Sequence, residues 1–237
     1  MKKYNYDLGI IGGMGPEATA EIFHRIIAKT KAGKDQEHMR ICILNKTRIP
    51  DRTKYILENE ENPLSELNLA IKQLLRLKTK SFIIACNTAH YFASELRYNS
   101  RKIAFYSIVT ETSQYIKKNF SDYNVCVLAT KGTVKAKIYS RELDELGINQ
   151  VFLNEAEQEK IMDVIKMTKA GLSKQESLNV LQAVIEKVVK EKNKCLFVLA
   201  CTELSLYKAE LSHQYNIIDA MDILIERVII ANGYELK

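Results

Sequence analysis

The 237-residue sequence lacks several features that would assign it to a class at once. It has no run of about 18 apolar residues, so we expect no membrane span. The apolar run near the N-terminus, residues 8–11, is too short for the hydrophobic region of a signal peptide. No C-x-x-C motif occurs, and no His, Asp and Glu side chains have the spacing of metal ligands, so we predict no metal site.

The five cysteines then indicate a reducing compartment rather than a disulfide framework. With no secretion signal recognised, we predict free thiols and a cytoplasmic protein. Cys42, Cys126 and Cys195 lie inside apolar strand-like runs, and we interpret them as core residues.

A concentrated basic patch is also missing. The net charge is +6, but the lysines are spread through the chain, so we predict neither nucleic-acid binding nor membrane binding. A mild positive charge suits a small anionic substrate. Apolar residues are 46% and charged residues 27%, which is ordinary for a globular protein and excludes a disordered chain.

What is present is a regular alternation of short apolar runs and longer amphipathic stretches. We predict strands at 6–11, 40–44, 81–85, 103–108, 124–129, 150–153, 195–200 and 215–218. We predict helices at 16–29, 63–77, 88–97, 110–119, 133–146, 155–170, 174–191, 202–211 and 220–231. Near-continuous apolar strands that alternate with helices indicate an α/β fold with parallel sheets covered on both faces.

The two halves of the sequence resemble each other. Segment 8–13 is similar to 125–130, and segment 82–88 is similar to 197–202. Gly12 and Cys86 are 74 residues apart, and Ala129 and Cys201 are 72 apart. We therefore predict two pseudo-symmetric parallel-sheet α/β lobes, residues 1–108 and 109–218, with the active site between them. The C-terminal helix, within 219–237, is expected to pack back on the first lobe.

Four segments lie where a predicted strand ends and a helix follows: 12–16, 86–88, 129–133 and 201–203. Ligands of open α/β sheets bind at the carboxyl ends of strands. The helix N-termini expected there suit a carboxylate, and they also suit a cysteine thiolate, whose pKa they lower.

Cys86 and Cys201 are the informative pair, since duplication would place them on opposite sides of a cleft. Two opposed thiols can remove a proton from one face of a carbon and return one to the other face. The alternative is that each cysteine simply packs in the core.

Three other features leave alternatives open. Arg48 and Arg52, in the polar loop 45–53, could grip a substrate carboxylate or remain solvated surface residues. His90 could tune the Cys86 thiol or act as a base, or it could be bonded to backbone. The G-x-G-x-x-A pattern at 13–18 fits a dinucleotide fingerprint, but Pro16 and Glu17 disfavour a pyrophosphate there.

Taken together, the motifs resemble those of the aspartate/glutamate racemase family. The matching stretches are Ile11-Gly-Gly-Met-Gly-Pro-Glu-Ala-Thr19, Asp35-Gln-Glu-His38, Ile49-Pro-Asp-Arg-Thr53, Cys86-Asn-Thr-Ala-His90, Leu128-Ala-Thr-Lys-Gly-Thr133, Lys169-Ala-Gly171, Cys201-Thr-Glu203 and Asp219-Ala-Met-Asp222. They cover nearly the whole chain in family order. The resemblance implies a racemase that needs no cofactor, with a site between two similar lobes and commonly a homodimeric assembly.

The resemblance also assigns roles to single residues. It implies that Cys86 and Cys201 are the catalytic cysteines. It implies that the α-carboxylate and α-amino group are held by Asn87, Thr88, Thr130 and Thr202. It implies that Arg52 and Lys169 meet the side-chain carboxylate, and that Met14 lies in the wall of the site.

We therefore expect a racemase for aspartate, with glutamate as the other acidic candidate. A racemase or epimerase for another amino acid, or a related isomerase, is the nearest alternative. A binding protein for acidic amino acids and a nucleotide-binding oxidoreductase are alternatives from other classes.

Overall fold

The computed structural model describes residues 4–237. Its strands form two four-stranded sheets, in which every pair of neighbours is parallel. The first sheet contains β1 (Tyr6–Gly12), β2 (Ile41–Asn45), β3 (Thr79–Ile84) and β4 (Ala104–Phe105). The second contains β5 (Asn124–Leu128), β6 (Gln150–Val151), β7 (Cys195–Leu199) and β8 (Ile217–Asp219). The orders β2-β1-β3-β4 and β6-β5-β7-β8 are the same topology, which confirms the predicted fold of two similar α/β units.

Ten α-helices connect these strands within the described residues. They are α1 (Pro16–Lys29), α2 (Arg52–Glu58), α3 (Leu64–Arg76), α4 (Ile108–Asn119), α5 (Lys131–Lys135), α6 (Ile138–Glu145), α7 (Glu155–Lys169), α8 (Lys174–Glu191), α9 (Lys208–Ser212) and α10 (Ala220–Ala231). Shorter 3-10 helices occupy Asp35–Glu37, Thr88–Glu95 and Leu204–Tyr207. None of the helices in this part of the chain has the length and apolarity required to cross a membrane.

Local sequence signals explain where several helices begin. Pro16 occupies the start of α1, where its fixed φ suits the first turn and its missing N–H costs nothing. Asn154 and Glu157 form a reciprocal capping box at α7. Ser173 caps α8 by accepting a hydrogen bond from a backbone N–H of the first turn.

One apolar core joins the two sheets. Leu8 and Ile10 of β1 share a buried cluster with Val125 of β5 and Val198 of β7. Alternate residues of the same strands point to the opposite faces, which α3 covers in the first sheet and α7 and α8 cover in the second. Both sheets are therefore covered on both faces, as their near-continuous apolar strands predict.

The C-terminal helix α10 contacts both α1 and α4. Lys29 of α1 forms ion pairs with Asp222 and Glu226 of α10. The last helix thus packs against α1, the helix that follows the first strand. The exact lobe boundaries, 1–108 and 109–218, remain a prediction.

Four predicted elements differ from the structure in kind or continuity, and the predicted strands 103–108 and 150–153 are shorter, at Ala104–Phe105 and Gln150–Val151. The segment predicted as helix 88–97 is the 3-10 helix Thr88–Glu95, and the one predicted at 202–211 divides into a 3-10 helix and the short α9. The helix predicted at 133–146 is broken by Lys137, whose φ of 55° is left-handed. The polar loop 45–53 ends in α2, because Asp51 accepts a hydrogen bond from the Lys54 N–H and caps the first turn.

Candidate active site

A cavity of about 310 Å³ opens where the strand ends of the two sheets meet. Its wall is formed by residues from both halves of the chain: Gly13, Met14, Gly15, Pro16, Glu17, Ala18, Glu21, Arg52, Thr168, Lys169, Thr202, Glu203 and Leu206. Four of the predicted site residues, Met14, Arg52, Lys169 and Thr202, therefore line one cavity.

The glycine-rich turn after β1 forms one side of the cavity. Gly13 has a φ of 90°, and a Cβ there would lie 2.4 Å from the carbonyl carbon of Lys46, so only glycine fits. The Thr19 hydroxyl accepts a hydrogen bond from the Gly13 N–H and donates one to the Gly15 carbonyl, both at 2.9 Å. Because Thr19 occupies the Gly13 N–H, this group is not available to a phosphate, which weighs against the dinucleotide interpretation.

Arg52 is buried, not a solvated surface residue. Its guanidinium donates to the backbone carbonyls of Ile49, Pro50 and Met14 at 3.3, 3.0 and 3.4 Å. Its Nε is buried and has no hydrogen-bond partner among the described residues. Arg52 also lines the cavity, and a guanidinium in that position is suited to a carboxylate ligand. Arg48, its neighbour in the predicted loop, is exposed.

The second cysteine carries a carboxylate partner that the sequence reasoning missed. The Cys201 thiol donates to Oε2 of Glu203 at 2.9 Å, and the Thr202 hydroxyl donates to the same oxygen at 3.2 Å. Lys169, the last residue of α7, places its Nζ 3.5 Å from Oε1 of Glu203. Cys201, Glu203 and Lys169 therefore form one connected group at the cavity.

These contacts overturn the expectation that Cys201 has a lowered pKa. Burial raises the pKa of the Cys201 thiol well above its usual value, and the Glu203 carboxylate raises it further. The segment that follows begins as a short 3-10 helix rather than a long α-helix, so the expected helix N-terminus is weak there. Lys169 acts in the opposite direction, but it does not reverse the effect.

Cys86 lies at the corresponding position after β3 and is also buried. Both thiols influence the pKa of Lys169. Burial lowers that pKa, but the charges of Glu203, Cys201 and Cys86 together raise it. The structure thus brings both predicted catalytic cysteines into the electrostatic reach of one cation. The other three cysteines lie within strands, and burial raises the pKa of each, to about 12 for Cys126.

Hydroxyl groups from the segments after β3 and β5 meet at Thr88, two residues after Cys86. The hydroxyls of Thr88, Thr130 and Thr133 form a buried triangle with sides of 3.0, 3.0 and 3.1 Å. The Tyr139 hydroxyl donates to Oδ1 of Asn87 at 2.6 Å. Residues after β3 are thereby held against residues after β5.

Thr133, Tyr139 and Glu203 were not among the predicted site residues. Thr133 and Glu203 lie within motifs that the sequence displays, 128–133 and 201–203, so their positions offered a signal. Tyr139 offered none, because only the fold brings α6 against Asn87.

His90 has the backbone-bonded role rather than that of a base. Its Nε2 accepts a hydrogen bond from the Ile108 N–H at 3.2 Å, so its Nδ1 carries the proton donated to the Cys86 carbonyl at 2.9 Å. Complete burial lowers the pKa of His90 to about 4. The neutral ring links the turn after Cys86 to the start of α4. Among residues 4–237, no three His, Cys, Asp or Glu side chains are grouped as metal ligands would be.

Comparisons with known proteins give matches over nearly the whole chain. The family model described as Asp/Glu/Hydantoin racemase matches residues 11–228. The aspartate racemase of Picrophilus torridus is 31% identical, with a TM-score of 0.87 over 98% of this chain and 96% of that one. An aspartate racemase homologue from Pyrococcus horikoshii OT3 is 24% identical, with a TM-score of 0.74 over 96% and 99%. A glutamate racemase isoform from Bacillus anthracis shares the fold at 18% identity, with a TM-score of 0.68 over 98% and 84%.

Proposed function

Because this chain belongs to the Asp/Glu/Hydantoin racemase family, and is therefore an isomerase, we propose that it interconverts L- and D-aspartate. Glutamate is the other acidic candidate. The observation that carries the proposal is the pair of buried thiols at matching positions, Cys86 two residues after β3 and Cys201 two residues after β7, with Thr202 and Glu203 in the wall of the cavity. The similarity to an aspartate racemase at 31% identity supports aspartate as the substrate.

The chemistry follows from the two-base principle. A thiolate on one side of the substrate removes the α-proton, and the electron pair of the Cα–H bond stays on the substrate as a carbanion. The thiol on the other side gives its proton to the opposite face of Cα, which inverts the centre. In this mechanism Cys86 and Cys201 exchange the roles of base and acid between the two directions, and no pyridoxal phosphate takes part.

The remaining predicted residues would hold the substrate in place. The α-carboxylate and α-amino group would lie against Asn87, Thr88, Thr130 and Thr202. The three hydroxyls use all three of their protons in hydrogen bonds to one another. One of them must therefore turn its proton toward the carboxylate when the substrate binds. Donors fixed at the carboxylate stabilise the charge that develops there as the proton leaves.

The side-chain carboxylate would meet Arg52 and Lys169, with Met14 closing the wall. Arg52 is buried in the cavity wall and has no acidic partner in the salt bridges of the described residues, whereas Lys169 is half-exposed and paired with Glu203. Arg52 is therefore the stronger determinant of an acidic substrate in this proposal. We also infer a cytoplasmic homodimer and the lobe boundaries given above, and these stay predictions.

The proposal is tested by incubating the protein with L-aspartate and, separately, L-glutamate in heavy water without pyridoxal phosphate. Incorporation of deuterium at Cα and loss of chirality are followed together. We expect both to proceed with aspartate. In Cys86→Ala and Cys201→Ala, racemisation should fall at least about a hundredfold, the lower range for loss of an acid–base group. Cys42→Ala, which alters a cysteine within β2, is the matched control and should racemise normally.

Other outcomes would identify the alternatives. Substrate binding without any Cα exchange would indicate a binding protein for acidic amino acids. A shift of the melting curve by a nicotinamide cofactor would favour the oxidoreductase. Near-normal racemisation in either catalytic-cysteine variant would refute the two-base assignment.

A further inference from the structure

The surroundings of the two proposed catalytic cysteines differ at one position. Glu203 follows Cys201 by two residues, and its carboxylate accepts the Cys201 thiol proton in a hydrogen bond of 2.9 Å. Glu203 is only 8% exposed, so water screens this contact poorly. The residue two positions after Cys86 is Thr88, whose hydroxyl is directed to Thr130 and Thr133 instead.

A carboxylate beside a catalytic thiol poses an electrostatic problem. If Cys201 lost its proton to bulk solvent, a thiolate and a carboxylate would lie in contact in a buried site. Lys169 contacts the other oxygen of Glu203 and supplies only one positive charge for both. Lys169 is the charged group that faces this pair, and Lys169 in turn interacts with Arg52 and Cys86. Tyr139 is a titratable neighbour of Cys201.

We propose that Glu203 is a positioning residue that also takes up the proton released by Cys201, so that a Cys201 thiolate never lies beside an ionised Glu203 carboxylate. This inference rests on the proposed racemase function and deepens it. When Cys201 is the base, its proton resides on Oε2 of Glu203, and the resulting carboxylic acid donates a hydrogen bond to the thiolate. When Cys201 is the acid, its sulfur and Glu203 each carry a proton, and the sulfur gives its proton to Cα.

The protons balance in both directions. Before one half-reaction, Cys201 is a thiolate, Glu203 is protonated and Cys86 is a thiol. The thiolate takes the α-proton, and Cys86 delivers its proton to the other face of Cα. Cys201 is then a thiol, Glu203 is still protonated and Cys86 is the thiolate. The reverse reaction starts from this state and restores the first one.

Activity alone cannot reveal such a partnership. The equilibrium constant of a racemisation is one, so any variant must keep equal values of kcat/KM for the two enantiomers. A direct readout is the reactivity of each thiol, because only the thiolate attacks an alkylating reagent. Alkylation by iodoacetamide, resolved residue by residue with mass spectrometry over a pH series, reports Cys201 and Cys86 separately and needs no turnover.

Glu203→Gln keeps the shape of the side chain and removes its charge and its ability to hold a proton. We expect Cys201 in this variant to be alkylated at least about fivefold faster near neutral pH, and its alkylation profile to move to lower pH. The reason is that lowering the pKa of a thiol by one raises its thiolate fraction about tenfold, as long as most of the thiol is protonated. The profile of Cys86 should not move. Racemisation should fall at least about tenfold for both enantiomers, because the thiolate formed without Glu203 is a weaker base.

Two variants control for a general change of charge. Lys169→Met removes the cation near Cys201 and should move its alkylation profile to higher pH, opposite to Glu203→Gln. Glu17→Gln removes a carboxylate from the same cavity wall and should leave the Cys201 profile in place. Melting curves establish that each variant is folded.

An unchanged Cys201 profile in Glu203→Gln would overturn the inference, and so would a shifted profile with normal racemisation. If the wild-type protein does not racemise, the proposed function has failed. If the wild type racemises and Cys201 has the same alkylation profile in the wild type and in Glu203→Gln, only the role of Glu203 has failed.

Discussion

Arg25 offers the sharpest test of how the two halves are held around the cavity. It projects from α1 and donates to Oδ2 of Asp219 at 2.7 Å and to the Ser205 carbonyl at 3.2 Å. It also donates to Glu21 at 2.6 Å and to Asp222 at 3.2 Å. Ser205 lies shortly after the Cys201 segment, so Arg25 ties the glycine-rich wall to the loop that carries the second thiol.

The loss of unfolding free energy in Arg25→Met depends on which partners Asp219 keeps. Methionine keeps much of the apolar stem but leaves the fully buried Asp219 carboxylate without its cation. Removing one partner of a buried pair costs about 3–5 kcal/mol. Asp219 would retain the Ser205 hydroxyl at 2.8 Å and the Met221 N–H at 2.9 Å, which places Arg25→Met near the lower end. A loss of about 3 kcal/mol corresponds to about 6–12 °C in Tm for a chain of this size.

The pH dependence of this loss has a definite sign. Burial and then Asp222 raise the pKa of Asp219, while Arg25 opposes them, so the pKa rises further in Arg25→Met. An acid whose pKa is raised by folding destabilises the protein at high pH and ceases to do so as it becomes protonated. The stability gap between wild type and variant should therefore narrow as the pH falls below neutrality.

The gap is measured by urea unfolding at several pH values, with melting curves beside it. Lys31→Met is the control, because it breaks an ion pair with Glu235 in which both side chains are exposed, and it should leave the Tm unchanged. A loss in Arg25→Met below about 1 kcal/mol, or a gap that widens as the pH falls, would refute the reasoning.

Two further predictions concern the buried polar bonds next to the cysteines. Tyr139→Phe leaves Oδ1 of Asn87 without its donor and should cost about 1–3 kcal/mol in unfolding free energy, together with a raised KM for aspartate because Asn87 loses its fixed orientation; a stable variant with an unchanged KM would exclude this role. Because folding lowers the pKa of His90 from 6.5 to about 4, stability should be lost as the pH falls through that interval, by up to about 3 kcal/mol. His90→Gln should flatten this part of the stability–pH curve, and equal slopes in the two proteins would contradict the assignment.

The sequence was sufficient for the scaffold because the scaffold depends on patterns that are local. The predicted helices 16–29, 174–191 and 220–231 coincide with α1, α8 and α10, which have a proline start, a serine cap and long amphipathic or apolar stretches. The strand ends carry the glycine turn and both cysteines, as the alternation of strand and helix requires. Met14, Arg52, Lys169 and Thr202 also line the cavity, although their roles stay predictions.

The direction of the Cys201 pKa shift could not be predicted from local sequence patterns. The expected lowering of the Cys201 pKa assumed a long helix after the strand, and it ignored a carboxylate two residues away whose side chain could have pointed anywhere. The structure turns Glu203 inward onto the thiol and begins the following segment with a 3-10 helix. The contact of Tyr139 with Asn87 depends on the packing of α6, which is itself set by the left-handed residue Lys137.

The duplicated scaffold and the unequal thiols have a common explanation. Equivalent strand ends in two sheets of the same topology supply two cysteines, and the proposed two-base mechanism uses both. The position two residues further on is free to differ, since it affects neither the strand nor the core. In the first unit Thr88 uses it to bond across to the second, and in the second unit Glu203 uses it to bond to its own cysteine. The scaffold therefore accounts for two thiols, and this single position gives Cys201 a carboxylate neighbour where Cys86 has a threonine.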